Sequence, residues 1–422
     1  MQDFFGTLIG KSIKLVLSYR KNGGQALPGL VIERLFPGYV SSMLAQLPEG
    51  IVVITGTNGK TTTTKIVTQM LKANGKKVLT NPTGSNLVRG IASSLAQHAN
   101  AFGKLRYDIA ILEVDEATAR KLVGVVKPRW VLALNVSRDQ LDRYGEVDTI
   151  ASYIGAAMES ATEGVVTNAR DPHLVEQAGK SSKQTYFFGA APRLSNFFPT
   201  DYELAAVGEP KNFAAKSQRT DVELARFNGQ KVEYMIGGKK YAATLQLSGQ
   251  HNFLNGAAAL ALCRRLLPGI KAQDLVTELS EVSLAFGRGE RYRMKNGAEV
   301  ELVLVKNPAS FTQALLSYGR EDASLMIAIN DNIADGRDVS WLWDVDFSPL
   351  KGRTVAVTSG KRAADMALRL SYDDIGTEDI ELRLLSALNT LSDRPGRKVI
   401  LSTYTAMLQL YRYLNKRAQK IA

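Results

Sequence analysis

The sequence predicts an α/β protein: a phosphate-binding central domain built on a parallel sheet, followed by a smaller C-terminal α/β domain. Three observations carry that prediction. From residue 51, runs rich in Val, Ile and Leu alternate with segments of helical spacing, as strands buried on both faces of a parallel sheet do. One junction, IVVITGTNGKTTTTK (51–65), joins a strand to a helix through a Gly-rich turn and a lysine. After about residue 293 the alternation resumes, behind a stretch of different character.

The elements follow in order. The start, MQDFFGTLIGKSIKLVLSYRKNGG, reads as an amphipathic helix with Phe5, Leu8, Ile9, Ile13 and Val16 near helical spacing and Lys11, Arg20 and Lys21 among them. Such a stripe packs on its own domain or lies on a membrane surface. It lacks the order of a signal peptide, and Gly23, Gly24 and Pro28 break it. IVVIT is a strand and TTTTKIVTQMLKANG a helix ended by Gly75. KKVLTN, YDIAILEVDE, PRWVLALNVS and GVVTN read as further strands. GIASSLAQH, a short segment through Leu122 and DTIASYIGAAMESA are the helices between them. Residues 185–248 are richer in aromatic and polar residues and carry hairpin signals in FNGQKVEYMIGGKKYAATLQL, which predicts a β-rich insertion. Helix returns at HNFLNGAAALALCRRLL. Beyond it, VELVLV, SLMIAI, TVAVTSG and KVILSTY read as strands. FTQALLSYG, RAADMALRLSY and TAMLQLYRYLNKRAQK are helical. The expected division is an N-terminal helical segment (1–45), a nucleotide-binding domain (46–292) and a C-terminal domain (293–422).

The 422-residue length exceeds what one ordinary core organises. The formal charge of +12 favours anionic partners without choosing among them. A single cysteine, Cys263, excludes an internal disulfide and any Cys-based zinc site, and it fits a reducing compartment. Cys263 lies in the apolar pattern of ALALCRRLL and reads as a core residue. No apolar run is long enough to span a bilayer.

In the strand–turn–helix context, Gly56 and Gly59 let backbone N–H groups face phosphate oxygens. Lys60 reaches the terminal phosphates, Thr61 can hold Mg²⁺ through its hydroxyl, and the helix N-terminus adds partial positive charge. The spacing departs from G-x-x-x-x-G-K-T, because Ile54 stands where the first glycine would be. Ligands in such sheets sit at the carboxyl ends of the strands. Those ends carry NPTGSN (81–86), Glu113, Asp115 and Glu116, and Asn135, Asp139 and Asp142. Carboxylates near a phosphate loop suit Mg²⁺, with Glu113 the first candidate.

In order, GTNGKTTT, N-x-x-G-x-N, E-x-D-E, N-x-x-R-D-Q-L-D-R-Y-G, SGQHNFLNGAAA and FGRGERY resemble the motifs of the Mur ligase superfamily, from about residue 28 to the C-terminus. That family forms amides from carboxylates by way of an acyl phosphate. The resemblance implies that Gly56, Thr57, Asn58, Gly59, Lys60, Thr61 and Thr62 hold ATP, with Thr61 and Glu113 at Mg²⁺. It further implies that His251, Asn252 and Asn255 contact the nucleotide base and that Arg288 faces the phosphates. NARD (168–171) lies where family members also approach the nucleotide.

Several departures narrow the branch. Gln140 and Tyr144 stand where typical members carry histidines, and SYIGAAMESA lacks the lysine of a second metal site. VLVKNPASF keeps Asn307 and Pro308 of the usual C-terminal motif and loses its Asp and His. With NDNIADGRDVSWLWDVDF, SGKRAADMALRLSY and LSTYTAML, the chain is similar to the MurT ligases, which work with a GatD-like glutaminase. This implies a heterodimer and a lipid II or related muropeptide substrate amidated at the D-glutamate α-carboxylate. A lipid-linked substrate sits at the inner membrane face, so a cytoplasmic location with peripheral membrane contact is the expectation. Nucleic acid is not an expected partner. Many MurT proteins carry a four-Cys zinc ribbon, which this chain cannot build, so no zinc is expected. In the relatives an Asp of the C-terminal domain completes the partner's Cys–His pair. Asp338 is the first candidate here, then Asp344 and Asp335. Exposed Trp beside loop acids is also an interface pattern. A basic C-terminal run (Arg394, Arg397, Lys398, Arg412, Lys416, Arg417, Lys420) offers a second route to anionic surfaces. Two other readings stay open: a ligase adding an amino acid to a carboxylate, and a nucleotide-dependent binding protein without ligation.

Overall fold

The computed structural model describes residues 2–19, 27–81, 87–137, 147–200, 219–247, 249–282, 288–319 and 323–421; for residues 18, 19, 288 and 289 it describes the backbone alone. Three helices lead in: α1 (Gln2–Tyr19), α2 (Leu27–Leu35) and α3 (Tyr39–Leu44). The central domain then alternates β1 (Ile51–Thr55), α4 (Lys60–Ala73), β2 (Val78–Thr80), α5 (Val88–His98), β3 (Ile109–Glu113), α6 (Glu116–Val123) and β4 (Trp130–Ala133). It continues with α7 (Val147–Ser160), β5 (Gly164–Asn168), α8 (Pro172–Lys180), β6 (Thr185–Ala190), β7 (Val222–Asn228), β8 (Lys231–Ile236), β9 (Lys239–Thr244), α9 (His251–Leu266) and α10 (Ala272–Glu281).

These strands form one nine-stranded sheet in the order β2-β3-β1-β4-β5-β6-β7-β8-β9. Neighbours from β2 to β7 run parallel, and β7, β8 and β9 pair antiparallel. The β-rich stretch at 185–248 thus extends the nucleotide-domain sheet rather than standing beside it. β1, β3, β4 and β5 are buried along their whole length. That is why they read as continuous apolar runs: helices cover both faces. One face packs against α4, α9 and α10 around Ile66, Phe253 and Leu260. The other packs against α2, α3, α5, α7 and α8 around Ile32, Ile91 and Ile154. Parallel strands place all their carboxyl ends on one edge, so the loops after Thr55, Glu113, Ala133 and Asn168 meet there.

α1 packs on α2 and α5 as the helix reading allows, but through its small residues. Gly6 lies against the Tyr39 ring and Gly10 against Ala96 and Ile32. Phe5, Leu8 and Val16 of the expected core stripe face outward.

The C-terminal domain holds β10 (Arg288–Arg293), β11 (Glu299–Leu304), α11 (Pro308–Tyr318), β12 (Ala323–Ala328), β13 (Thr354–Ser359), α12 (Ala363–Ser371) and β14 (Gly376–Glu381). α13 (Leu384–Ser392), β15 (Arg397–Ser402), α14 (Tyr404–Arg417) and β16 (Gln419–Lys420) complete it. Its sheet order is β14-β13-β12-β15-β11-β10-β16. Part of the basic C-terminal run is taken up by this fold, while Arg412, Lys416 and Arg417 stay exposed. Arg394 pairs with Glu378 and Asp379, Arg397 with Glu301 and Lys420 with Glu290. α14 buries Met407, Leu410 and Leu414. Among the described residues, no helix is long and apolar enough to cross a membrane.

Candidate functional site

The loop from Gly56 to Lys60 turns between β1 and α4 on two left-handed glycines. Gly56 has φ 124° and Gly59 φ 87°, conformations that cost a residue with a Cβ. Space is closed as well: a Cβ at Gly56 would stand 2.9 Å from the Asn135 carbonyl, and one at Gly59 2.4 Å from Asn255 Oδ1. The loop is pinned from the β4 side. Asn58 N–H donates to Asn135 Oδ1 (2.8 Å), and Asn135 Nδ2 donates back to the Asn58 carbonyl (3.0 Å). Thr57 Oγ1 accepts from the Ser137 N–H at 3.1 Å. Behind this, Asp171 Oδ2 accepts from the Val136 N–H (2.7 Å), while its Oδ1 caps α8 through the Leu174 N–H (3.1 Å). Asp171 of the NARD segment therefore acts through the backbone that braces the loop.

Lys60 is buried and donates to the Gly56 and Thr57 carbonyls. Its ammonium lies 4.0 Å from Glu116. Burial alone would push the Glu116 carboxyl up, but Lys60, Lys306, the Glu116 backbone N–H and the Thr57 hydroxyl together hold it below its ordinary value. Thr61 Oγ1 donates to Glu113 Oε1 at 2.8 Å, so the proposed Mg²⁺ pair is in contact. Glu113 is itself held by Asn81, which accepts from its N–H (2.9 Å) and donates to its carbonyl (2.7 Å). The buried Thr62 hydroxyl has no hydrogen-bond partner among the described residues. Asp115 caps α6 by accepting from the Thr118 N–H at 2.6 Å.

At the start of α9, Asn255 Nδ2 donates to Asn252 Oδ1 (3.0 Å), and both are buried. His251 is half-buried one residue earlier. The Tyr234 hydroxyl donates to the Phe253 carbonyl (2.8 Å), fixing this helix start on β8. The His251–Asn255 segment thus reaches the loop at Gly59, whereas Asn135 holds it at Gly56 and Asn58. The Arg288 backbone begins β10 opposite Val303; its side chain, like Asp139, Gln140, Asp142, Tyr144 and residues 82–86, lies outside the described residues.

The C-terminal domain closes on the loop. Lys306 Nζ donates to the Thr57 carbonyl (3.0 Å), and Asn307 Nδ2 donates to Asn58 Oδ1 (3.1 Å). Asn307 also caps α11 in a capping box with Ser310. Lys306 and Glu116 are site residues that sequence reasoning did not single out for these contacts. For Lys306, the available signal was its position at a strand end, one residue before an Asn-Pro helix start.

The three Asp candidates differ sharply. Asp335 is buried, accepting from Thr405 N–H (2.7 Å), Thr405 Oγ1 (2.5 Å) and Asn332 N–H (3.1 Å). Asp338 is exposed and accepts from the Ser340 N–H at 2.8 Å, a bond that with the Ser340 hydroxyl holds its carboxyl below the ordinary value. Asp344 is exposed beside Trp343. Trp341 packs inward on Phe311, whereas Trp343 is exposed and meets Tyr372 edge-on at 5.0 Å.

The Mur ligase middle domain family matches residues 54–263, and the MurT ligase C-terminal family matches residues 304–407. The MurT subunit of lipid II isoglutaminyl synthase from Streptococcus pneumoniae is 31% identical over 99% of this chain and 98% of the relative. The corresponding Staphylococcus aureus N315 subunit is 27% identical over 93% of each chain. Among solved structures, MurF from Acinetobacter baumannii superposes with a TM-score of 0.68 at 19% identity, covering 92% of this chain and 80% of that one. MurF from Thermotoga maritima in complex with ADP gives 0.64 at 17% identity, over 91% and 84%. With a braced phosphate loop, a second domain resting on it and this likeness along nearly its whole length, the chain belongs to the MurT family of the Mur ligase superfamily.

Proposed function

We propose that this ATP-dependent ligase is the amidating subunit of a lipid II isoglutaminyl synthase. It would convert the D-glutamate α-carboxylate of the stem peptide to an amide with ammonia supplied by a glutaminase partner. The carrying observation is the contact of Lys306 and Asn307 with Thr57 and Asn58, which puts the C-terminal domain over the phosphate loop. Support also comes from the relatives, named as subunits of a glutamine-hydrolysing synthase.

The donor set fits a nucleotide. Lys60, the α4 N-terminus and the Thr62 hydroxyl would take the phosphates, and Asn252 and Asn255 the base. Thr61 and Glu113 would hold Mg²⁺, which neutralises phosphate charge when bound. A substrate carboxylate oxygen attacks the γ-phosphorus and ADP leaves. Ammonia then attacks the acyl carbon and inorganic phosphate departs. Lys60 and Lys306 stabilise the charge that builds on the transferring group, and domain closure excludes water.

The nitrogen has to come from elsewhere. Cys263 is fully buried and its thiol is pushed far up by burial, with Glu278 adding to the shift. Such a thiol cannot act as the nucleophile that glutamine hydrolysis needs. Exposed Ile333, Trp343 and Tyr372 around Asp338 and Asp344 form a surface suited to the glutaminase. Asp338 would orient the partner's histidine. Assaying Asp338→Asn with its partner on glutamine and on ammonium salt tests this. Glutamine-dependent amidation should fall by about 10²-fold or more, while ammonium-dependent amidation survives. Equal loss of both would reject the role. Amidation that requires an amino acid as nitrogen donor would reject the substrate assignment.

A further inference from the structure

α1 is oriented against the usual rule for a surface helix, which buries its large apolar residues. Its inner face is made of Gly6, Thr7 and Gly10, close against Tyr39, Ile32 and Ala96. Its outer face carries Phe5 (46% exposed), Leu8 (48%) and Val16 (55%), with Phe4 edge-on to Phe5. Phe102, 76% exposed, joins this face: the adjoining Gly103 sits so close to the Asp3 and Phe4 backbone that a Cβ there would lie 2.7 Å away. Single exposed apolar residues are ordinary, but a contiguous set on one helix marks an interaction site.

A second feature sits on the same segment. A cleft of about 560 Å³ opens at the end of α5, lined by Lys72, Lys76, Lys77, Lys104, Arg106 and His98 and by no acidic residue. Glu49 pairs with Lys76. Lys72, Lys77, Lys104 and Arg106 are exposed and make no ion pair among the described residues. The cleft adjoins α1 directly: Ala99, which lines it, accepts from Lys11 Nζ at 2.6 Å. Phe102 lies in the loop between the two.

We infer that the outer face of α1 together with this cationic cleft docks the protein on an anionic lipid bilayer. The apolar side chains enter the headgroup–acyl boundary and the cleft takes lipid phosphates. A second protein copy would need a complementary acidic surface, whereas an anionic leaflet supplies both the apolar layer and the negative charge. The inference is independent of the ligase reading, although a lipid-linked substrate would be presented at such a surface.

Co-sedimentation of the full chain with vesicles tests it. Binding is expected to vesicles of neutral phosphatidylcholine containing about a third phosphatidylglycerol, weakened by salt, and to be far weaker with phosphatidylcholine alone. Phe5→Glu with Leu8→Glu should abolish it. Replacing Lys72, Lys77, Lys104 and Arg106 by Ala should weaken it several hundredfold, roughly 600-fold, since each cation near an anionic leaflet strengthens binding about fivefold. All these side chains are exposed, so unfolding temperature and amidation of a soluble muropeptide should stay as in the parent. Equal sedimentation with both vesicle types, or unchanged sedimentation of either variant, overturns the inference. So does a fall in self-association mass in the α1 variant without any vesicle binding by the parent. Loss of soluble-substrate amidation in the parent would instead count against the ligase reading.

Discussion

Asn307 of the C-terminal domain and Asn58 of the phosphate loop face each other amide to amide, with Asn307 Nδ2 donating to Asn58 Oδ1 at 3.1 Å. The same Asn307 side chain accepts from the Ser310 N–H at 2.9 Å and so caps α11. One residue therefore starts a helix and ties two domains together.

Asn307→Ser separates these roles. Serine is a good N-cap, so stability should change by less than about 1 kcal/mol, whereas alanine should cost about that much or more. Serine cannot reach Asn58, so kcat for amidation should fall about tenfold or more as closure loses its register. Thermal unfolding and steady-state kinetics on both variants check this. Full activity in Asn307→Ser would mean that closure does not depend on the amide pair.

Lys60→Ala should lower ATP turnover by roughly 10²-fold or more, because a preorganised cation is removed from the phosphate site. It also strips the buried Glu116 carboxylate of a nearby cation, which is destabilising. Adding Glu116→Gln should recover thermal stability but not turnover. Recovery of both by the double variant would show that Lys60 serves only the ion pair.

Asp171 makes stability depend on pH. Burial raises its carboxyl from an ordinary 3.8 to about 6, against the opposing pull of the Val136 and Leu174 N–H groups and His173. The folded protein thus holds this proton more tightly than the unfolded chain. The contribution is fully present below the unfolded value and is lost as pH rises through about 6. Relative to Asp171→Asn, the parent should lose unfolding free energy between about pH 4 and pH 6. Denaturant titrations of both proteins across that range measure it, and parallel curves would contradict it.

Cys263 should be inert in the folded protein. It is fully buried, 3.9 Å from the Met70 sulfur, and its thiol is pushed up by burial. An aromatic disulfide reagent should find no thiol under native conditions and about one per chain in denaturant. Fast native reaction would reopen the question of a nucleophile in this chain.

What the sequence discloses is local. Gly56, Gly59, Lys60 and Thr61 lie within one turn, and their spacing between an apolar strand and a helix defines the phosphate loop. The contacts that complete the site are remote: Asn58 meets Asn307 across 249 positions, and no periodicity encodes that. Polar edge elements also escape. β14 reads GTEDIE because most of it is exposed, so the apolar signal of a strand is missing. α1 misleads for another reason. Its apolar stripe suggests a core face, but two glycines permit a closer approach than large side chains would, and the packing follows the glycines.

The closeness of Gly59 to Asn255 has a consequence for descent. The space a Cβ would need at position 59 is already taken by an oxygen of the base-side helix. The constraint runs one way: position 255 can shorten while position 59 stays glycine, but a side chain at 59 meets both the occupied space and the left-handed backbone. Glycine at 59 should therefore persist in a lineage through changes at 255, because a shorter side chain there frees the space without relieving the backbone.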